Sequence, residues 1–161
     1  MSKLLVTDTT LRDGSHAVSH SFSPEFVGEI VSKLVAANVP IIEVSHGAGL
    51  SGSTIQQGFS THDEWKLIES AVANKKDSKI ASLFVPGIGT RPEIITAATI
   101  GIDVLRIAVH CTEADVTQQY FEQAKKSGLE TVGFLMMSHT QPASVLAEQA
   151  KLMESYGADC V

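Results

Sequence analysis

Five apolar, β-rich runs alternate with five helical patterns from one end of the chain to the other, and few architectures accept that rhythm. Leu4–Thr7, Ile41–Ser45, Ile80–Val85, Val104–Val109 and Thr131–Met137 read as strands that are apolar along their length rather than at every second residue. Parallel strands covered on both faces look like this, whereas strands with one wet face alternate. Between them the spacing predicts helices over Pro24–Ala37, His62–Ala73, Pro92–Ile100, Glu113–Ser127 and Pro142–Tyr156. Ser23 is the expected N-cap of the first, with Pro24 in the first helical position. Thr61 and Thr112 are the expected caps of the second and fourth, and Gly101, Gly128 and Gly157 the expected stops of the last three. No Pro/Gly/Ser linker or shift of composition divides these units, so residues 1–161 read as one domain.

A sixth strand opens at Ala158-Asp159-Cys160-Val161. A closed (β/α)8 barrel takes roughly 250 residues, so a chain of 161 holds only part of one. The expected fold class is α/β, a partial TIM (β/α)8 barrel of about five βα units plus the start of strand 6. A five-stranded doubly wound sheet is the alternative, because βα repetition alone does not tell the two apart.

The first strand runs into Thr7-Asp-Thr-Thr-Leu-Arg-Asp-Gly-Ser-His16. Within five residues, Arg12, Asp13 and His16 supply a guanidinium that can grip a carboxylate or enolate, a carboxylate that can hold a divalent metal, and an imidazole that can move a proton. A polar turn bent at Asp13-Gly14 is the structural reading of the same residues. Their position after a strand and before a helix favours a site.

The same segment carries a resemblance. Asp8-Thr-Thr-Leu-Arg-Asp-Gly14 resembles the opening motif of the HMG-CoA-lyase-like metal-dependent aldolases and Claisen synthases, a TIM-barrel superfamily. Ser15-His16, in place of the Glu-Gln of the synthases, is similar to the 4-hydroxy-2-oxovalerate (4-hydroxy-2-oxoacid) aldolases. So are Glu43–Leu50, Val85–Gly89, His110–Val116, Val132–His139 and Leu146–Gly157, which spread the likeness over the chain. The resemblance implies a class II pyruvate aldolase, or its N-terminal portion, cleaving 4-hydroxy-2-oxopentanoate-type acids to pyruvate and a short aldehyde. It implies Asp13 as a ligand of a divalent metal, Mn2+-like in this family, Arg12 as the group that binds substrate and steadies the enolate, and His16 as the proton carrier. It places further ligands, a His-x-His pair, and an assisting Tyr on later strands, so the 161-residue chain alone is expected to be inactive. An acylating acetaldehyde dehydrogenase is the implied partner. A Claisen acyltransferase and a non-catalytic half-barrel module are the competing readings.

Other motifs weigh less. Gly47-Ala-Gly-Leu-Ser-Gly52 spells G-x-G-x-x-G, but irregular sequence from Ser53 to Thr61 separates it from the next helix, where a dinucleotide site needs the helix to begin within the motif. The resemblance makes it an active-site rim loop, with Ala48 replacing the family's Asp and Ile55-Gln56-Gln57 departing from its pattern. His46, His110 and His139 follow strand ends and read as loop supports rather than metal ligands. Leu83 and Val85 share a strand face that suits either core packing or an alkyl pocket. Cys111 and Cys160 read as reduced thiols. A net charge of −6 and no basic cluster argue against nucleic acid, and no apolar run is long enough to span a membrane. A cytoplasmic protein is expected, and unpaired sheet edges in a partial barrel predict self-association.

Overall fold

The computed structural model describes residues 4–161. Five parallel strands, β1 (Thr7–Asp8), β2 (Ile41–Glu43), β3 (Lys79–Phe84), β4 (Val104–His110) and β5 (Glu130–Met136), lie in the order β1-β2-β3-β4-β5. Helices α1 (Pro24–Ala36), α2 (Glu64–Asn74), α3 (Arg91–Ile100), α4 (Gln118–Lys126) and α5 (Ala143–Ser155) fill the connections. Sequential order decides between the two expected architectures. A doubly wound sheet reverses its strand order at a switch point, whereas a barrel adds each strand beside the last.

The packing agrees. Ile42, Val44, Ile80, Phe84, Leu105, Ile107 and Val109 share one face of the sheet and form one core with Val27 and Val31 of α1, Ile68 of α2, Ile94 of α3, Phe121 of α4 and Met153 of α5. Every helix therefore covers the same, outer face. Truncating a fully buried residue here, such as Phe121→Ala, costs about 3–5 kcal/mol. The opposite face is that of a barrel interior. Ile41, Ala81 and Val104 cluster at its lower end with Val132 against them. The chain is a curled half-barrel.

Gly-x-acid joints set the strand register at the amino-terminal end of the sheet. Gly101 ends α3 at φ 113°, and two residues later Asp103 donates its N–H to the Ile80 carbonyl while Oδ2 takes the Ile80 N–H at 2.8 Å. Lys75 Nζ closes on the same carboxylate at 2.7 Å. Gly157 (φ 106°) and Asp159 repeat the arrangement against Thr131 and Lys125, and Cys160 then pairs with Val132. The segment after Gly157 thus joins the β5 edge as the start of a sixth strand.

Three local expectations need correction. The first strand is Thr7–Asp8 rather than Leu4–Thr7, and Leu4, Leu5 and Val6 are exposed, because β2 offers pairing partners only from Ile41 on. Asp63, not Thr61, caps α2, its carboxylate taking the Trp65 N–H at 2.9 Å. Residues Ala114–Thr117 form a 3-10 turn ahead of α4, tightened by the Thr117 hydroxyl on the Ala114 carbonyl at 2.5 Å, so Thr112 caps no helix.

Candidate functional site

The motif after β1 is shaped by its own backbone. Asp8 accepts the Thr10 N–H, and the Thr9 carbonyl takes the N–H groups of Arg12, Asp13 and Gly14. Asp13–Val18 then winds as a 3-10 helix, so Asp13-Gly14 opens a helical turn instead of making a simple bend. Ser19 and His20 follow at φ 50° and 54°, two consecutive left-handed residues. Such conformations are costly for residues with a Cβ and persist only where surroundings enforce them. Here they fold the chain back, returning the His20 N–H to the Ser15 carbonyl at 2.8 Å.

Arg12 lies across the carboxyl-terminal end of the sheet. Its Nε donates to Glu43 Oε2 at 2.7 Å and its Nη1 to Asp13 Oδ1 at 2.7 Å. Glu43, whose side chain is 0% exposed, also takes Nη1 of Arg106 on Oε1 at 2.6 Å. Arg106 in turn sits with its guanidinium carbon 5.0 Å from the centre of the Phe134 ring. One buried carboxylate is thus shared by two guanidiniums, the arrangement that makes a buried charge tolerable. Arg12 uses two of its five donors in this way, and Asp13, 65% exposed, keeps Oδ2 open.

The turn that follows Arg12 brings together a group of three imidazoles. His20 and His46 stack with ring centres 3.8 Å apart, and the exposed His16 meets His20 edge-on at 4.9 Å. His46 accepts the Ala48 N–H on Nδ1 at 3.1 Å, so Nε2 carries the proton that reaches the Gly58 carbonyl at 3.1 Å. Burial, reinforced by His20 alongside, pushes the His46 pKa down to about 4. His20 is lowered for the same reason, with His16 adding to it. The stacked pair is therefore neutral near pH 7. Glu64, at the first turn of α2, holds the loop above by accepting the N–H groups of His46 and Ser51, and burial raises its pKa.

The glycines of Gly47-x-Gly-x-x-Gly52 serve these rings. A Cβ on Gly47 would lie 2.6 Å from Cε1 and 2.7 Å from Cδ2 of His16, and one on Gly52 would lie 2.5 Å from Nδ1 of His46. Gly49, at φ 92°, passes over the Leu83 carbonyl. The motif packs imidazoles.

Arg12, Asp13 and His16 are thus brought to one end of the sheet. His46 joins them, but His110 bonds the Thr112 hydroxyl at 2.8 Å and His139 is exposed in a 3-10 turn. Among the described residues no group of three His, Cys, Asp or Glu side chains is placed to hold a metal ion, so Asp13 fits the role of one hard oxygen ligand and no more. Leu83 is buried on the inner face opposite Arg106, with Val85 half-buried beyond it. Cys111 is buried and Cys160 exposed, both as free thiols. No helix among the described residues is long and apolar enough to cross a membrane. Sequence reasoning missed Glu43, Arg106 and His20 as site residues.

A model of one protein family, described as HMGL-like, matches residues 3–161. The chain belongs to the HMGL-like family. Among HMGL-like relatives it is 62% identical over 156 residues to a 4-hydroxy-2-oxovalerate aldolase of Thermomicrobium roseum, covering 97% of this chain and 44% of that protein. It is 60% identical over 156 residues to one of Chloroflexus aggregans, covering 97% of this chain and 46% of that protein. The chain spans less than half the length of these curated relatives. The fold is shared with the carboxyl transferase domain of Rhizobium etli pyruvate carboxylase (TM-score 0.76, 16% identity, 98% of this chain and 30% of that one). It is shared also with the N-terminal domain of a putative aldolase from Bacteroides vulgatus (TM-score 0.71, 17% identity, 97% of this chain and 52% of that one).

Proposed function

We propose that this chain supplies the Arg12, Asp13 and His16 part of a pyruvate-specific class II aldolase, cleaving 4-hydroxy-2-oxopentanoate-type acids to pyruvate and a short aldehyde. The observation that carries the reading is the Arg12 guanidinium, locked from below by buried Glu43 with donors to spare and paired with the exposed Asp13 carboxylate, with the exposed His16 imidazole at the same end of the sheet. The names of the closely similar relatives point the same way.

Retro-aldol cleavage takes a proton from the 4-hydroxyl and leaves negative charge on the pyruvate enolate. In this proposal His16 removes that proton and returns it in the reverse direction. Arg12 directs its remaining N–H groups at the enolate oxygen, a fixed fork that costs no reorganisation as charge develops. Asp13 would be one ligand of a divalent cation of the Mn2+ type, which would supply Lewis acidity to the reaction. Its other ligands are proposed to come from the stretch of the relatives beyond the match, where the resemblance puts a His-x-His pair. Leu83 and Val85 are proposed to border the alkyl end of the aldehyde. An acylating acetaldehyde dehydrogenase partner, self-association through the sheet edges and a single domain over residues 1–161 belong to the same proposal.

The test is pyruvate release from 4-hydroxy-2-oxopentanoate, followed with lactate dehydrogenase and NADH, in the intact protein with Mn2+. Turnover abolished by EDTA and restored by Mn2+ is the expected result. No pyruvate, together with acetyl-CoA-dependent thiol release, would reassign the chain to the Claisen synthases.

A further inference from the structure

We propose that Arg106 is a positioning residue for Arg12, acting through the shared carboxylate of Glu43. The proposal rests on the aldolase reading for its consequence in turnover, but not for the coupling itself. Arg106 stands within β4, opposite Leu83 on β3 and Val132 on β5, and is well below the strand's carboxyl end at His110. Its side chain is only 16% exposed, and it bonds Glu43 from the side away from Arg12.

The arrangement fixes one degree of freedom after another. Phe134 lies against the Arg106 guanidinium, whose central carbon is 5.0 Å from the ring centre, a cation–π contact that restrains where it sits. Arg106 Nη1 then donates to Glu43 Oε1 at 2.6 Å, which leaves Oε2 to face Arg12 Nε at 2.7 Å. Because Arg12 is gripped at Nε, its Nη edge turns outward to Asp13 and the open end of the sheet. A lone Glu43–Arg12 pair would leave the carboxylate free to rotate between one- and two-point contact. Two cations, one on each oxygen, remove that choice. The link crosses β4, β2 and the loop after β1, whose residues lie 63 and 31 positions apart.

Two measurements test the proposal in the intact protein. The first is solvent exchange of the Arg12 Nε proton by 15N NMR, which reads the coupling whether or not the protein turns over. Protection in the wild type, lost in Arg106→Met and largely kept in Arg106→Lys, is expected. The second is turnover: Arg106→Met should lower kcat by about 10–100-fold, the scale of removing an outer partner of a reacting group, with little change in KM. Should Arg106→Met not fold, Glu43→Gln/Arg106→Gln leaves no buried charge unpaired and is compared with Glu43→Gln alone. Equal losses of kcat in the two are expected, since Arg106 works only through Glu43. An unprotected Arg12 Nε proton in the wild type, or full protection and turnover in folded Arg106→Met, would overturn the proposal. A double variant far worse than Glu43→Gln would do the same. Absence of pyruvate formation in the wild type would sink the aldolase reading, while the exchange measurement still decides the coupling.

Discussion

The two ends of the sheet both carry ion pairs, and they use them differently. At the amino-terminal end Asp103 and Asp159 each take a lysine and a strand N–H, and Lys79 pairs with Glu130 across the same edge. Asp103 and Asp159 are each held by a cation and a backbone N–H, and their work is to set where a strand begins. At the carboxyl-terminal end one buried acid, Glu43, is saturated, while the groups around it are not. Arg12 keeps donors, Asp13 an oxygen, and His16 a solvent-facing ring. Satisfied charges hold a fold together. Charges with valence left over are where a substrate can bind.

That contrast can be broken in order of expected effect. His16→Ala should suppress turnover by ~10²–10⁴-fold, the range for a general acid–base group, with an unchanged melting curve. Loss of fold alongside loss of turnover would make His16 a structural member of the imidazole group. Arg12→Lys should cost at least ~10²-fold in kcat, because an ammonium has neither the fork nor the Nε contact with Glu43. Steady-state kinetics with near-normal kcat would return Arg12 to a structural ion pair. Gly47→Ala is subtler. A Cβ needs contacts of about 3.5 Å, so the His16 ring must retreat by about 1 Å, and up to ~10²-fold in rate is at stake with stability nearly intact.

At the other end the signs reverse. Asp103→Asn should cost about 1–3 kcal/mol in urea unfolding, by weakening the bonds to Lys75 and the Ile80 N–H, and leave kcat untouched. A kinetic defect there would erase the distinction between the ends. The gentlest perturbation is pH. His46 titrates near 6.5 in the unfolded chain and about 4 in the fold, so the unfolded state takes up its proton first on acidification. Its contribution is complete above about pH 6.5 and drains away as pH falls towards 4, with His20 adding in the same direction. Thermal melts from pH 7 to 4 should show this slope, and His46→Gln should flatten it.

Much of this was legible in the sequence because it is local. Strand runs, the Ser23-Pro24 start and the Gly101 stop are all set by near neighbours, and Arg12, Asp13 and His16 stand together in one motif. Glu43 and Arg106 escaped because each acquires meaning from a partner 31 or 63 residues away. A trace was present even so: each is the one charge inside an otherwise apolar strand run, Ile41-Ile-Glu-Val44 and Val104-Leu-Arg-Ile-Ala-Val109. Charge where a strand should be buried on both faces marks either a wrong strand or a site. His20 left no such trace, since only the left-handed turn at Ser19 and His20 brings it under His46.

The rim loop holds its imidazoles through main-chain atoms alone: the Ala48 N–H and the carbonyls of Gln57 and Gly58. The Ala48 and Gln57 contacts do not depend on which side chain the residue carries, whereas Gly58 sits at φ 90° where a Cβ would lie 3.2 Å from the His20 ring. Positions 48 and 55–57, where this chain departs from the usual aldolase pattern, are therefore free to drift in identity so long as the backbone keeps its path. A change of side chain at these positions can alter the surface of the loop without displacing the stacked His20 and His46 rings that its backbone holds.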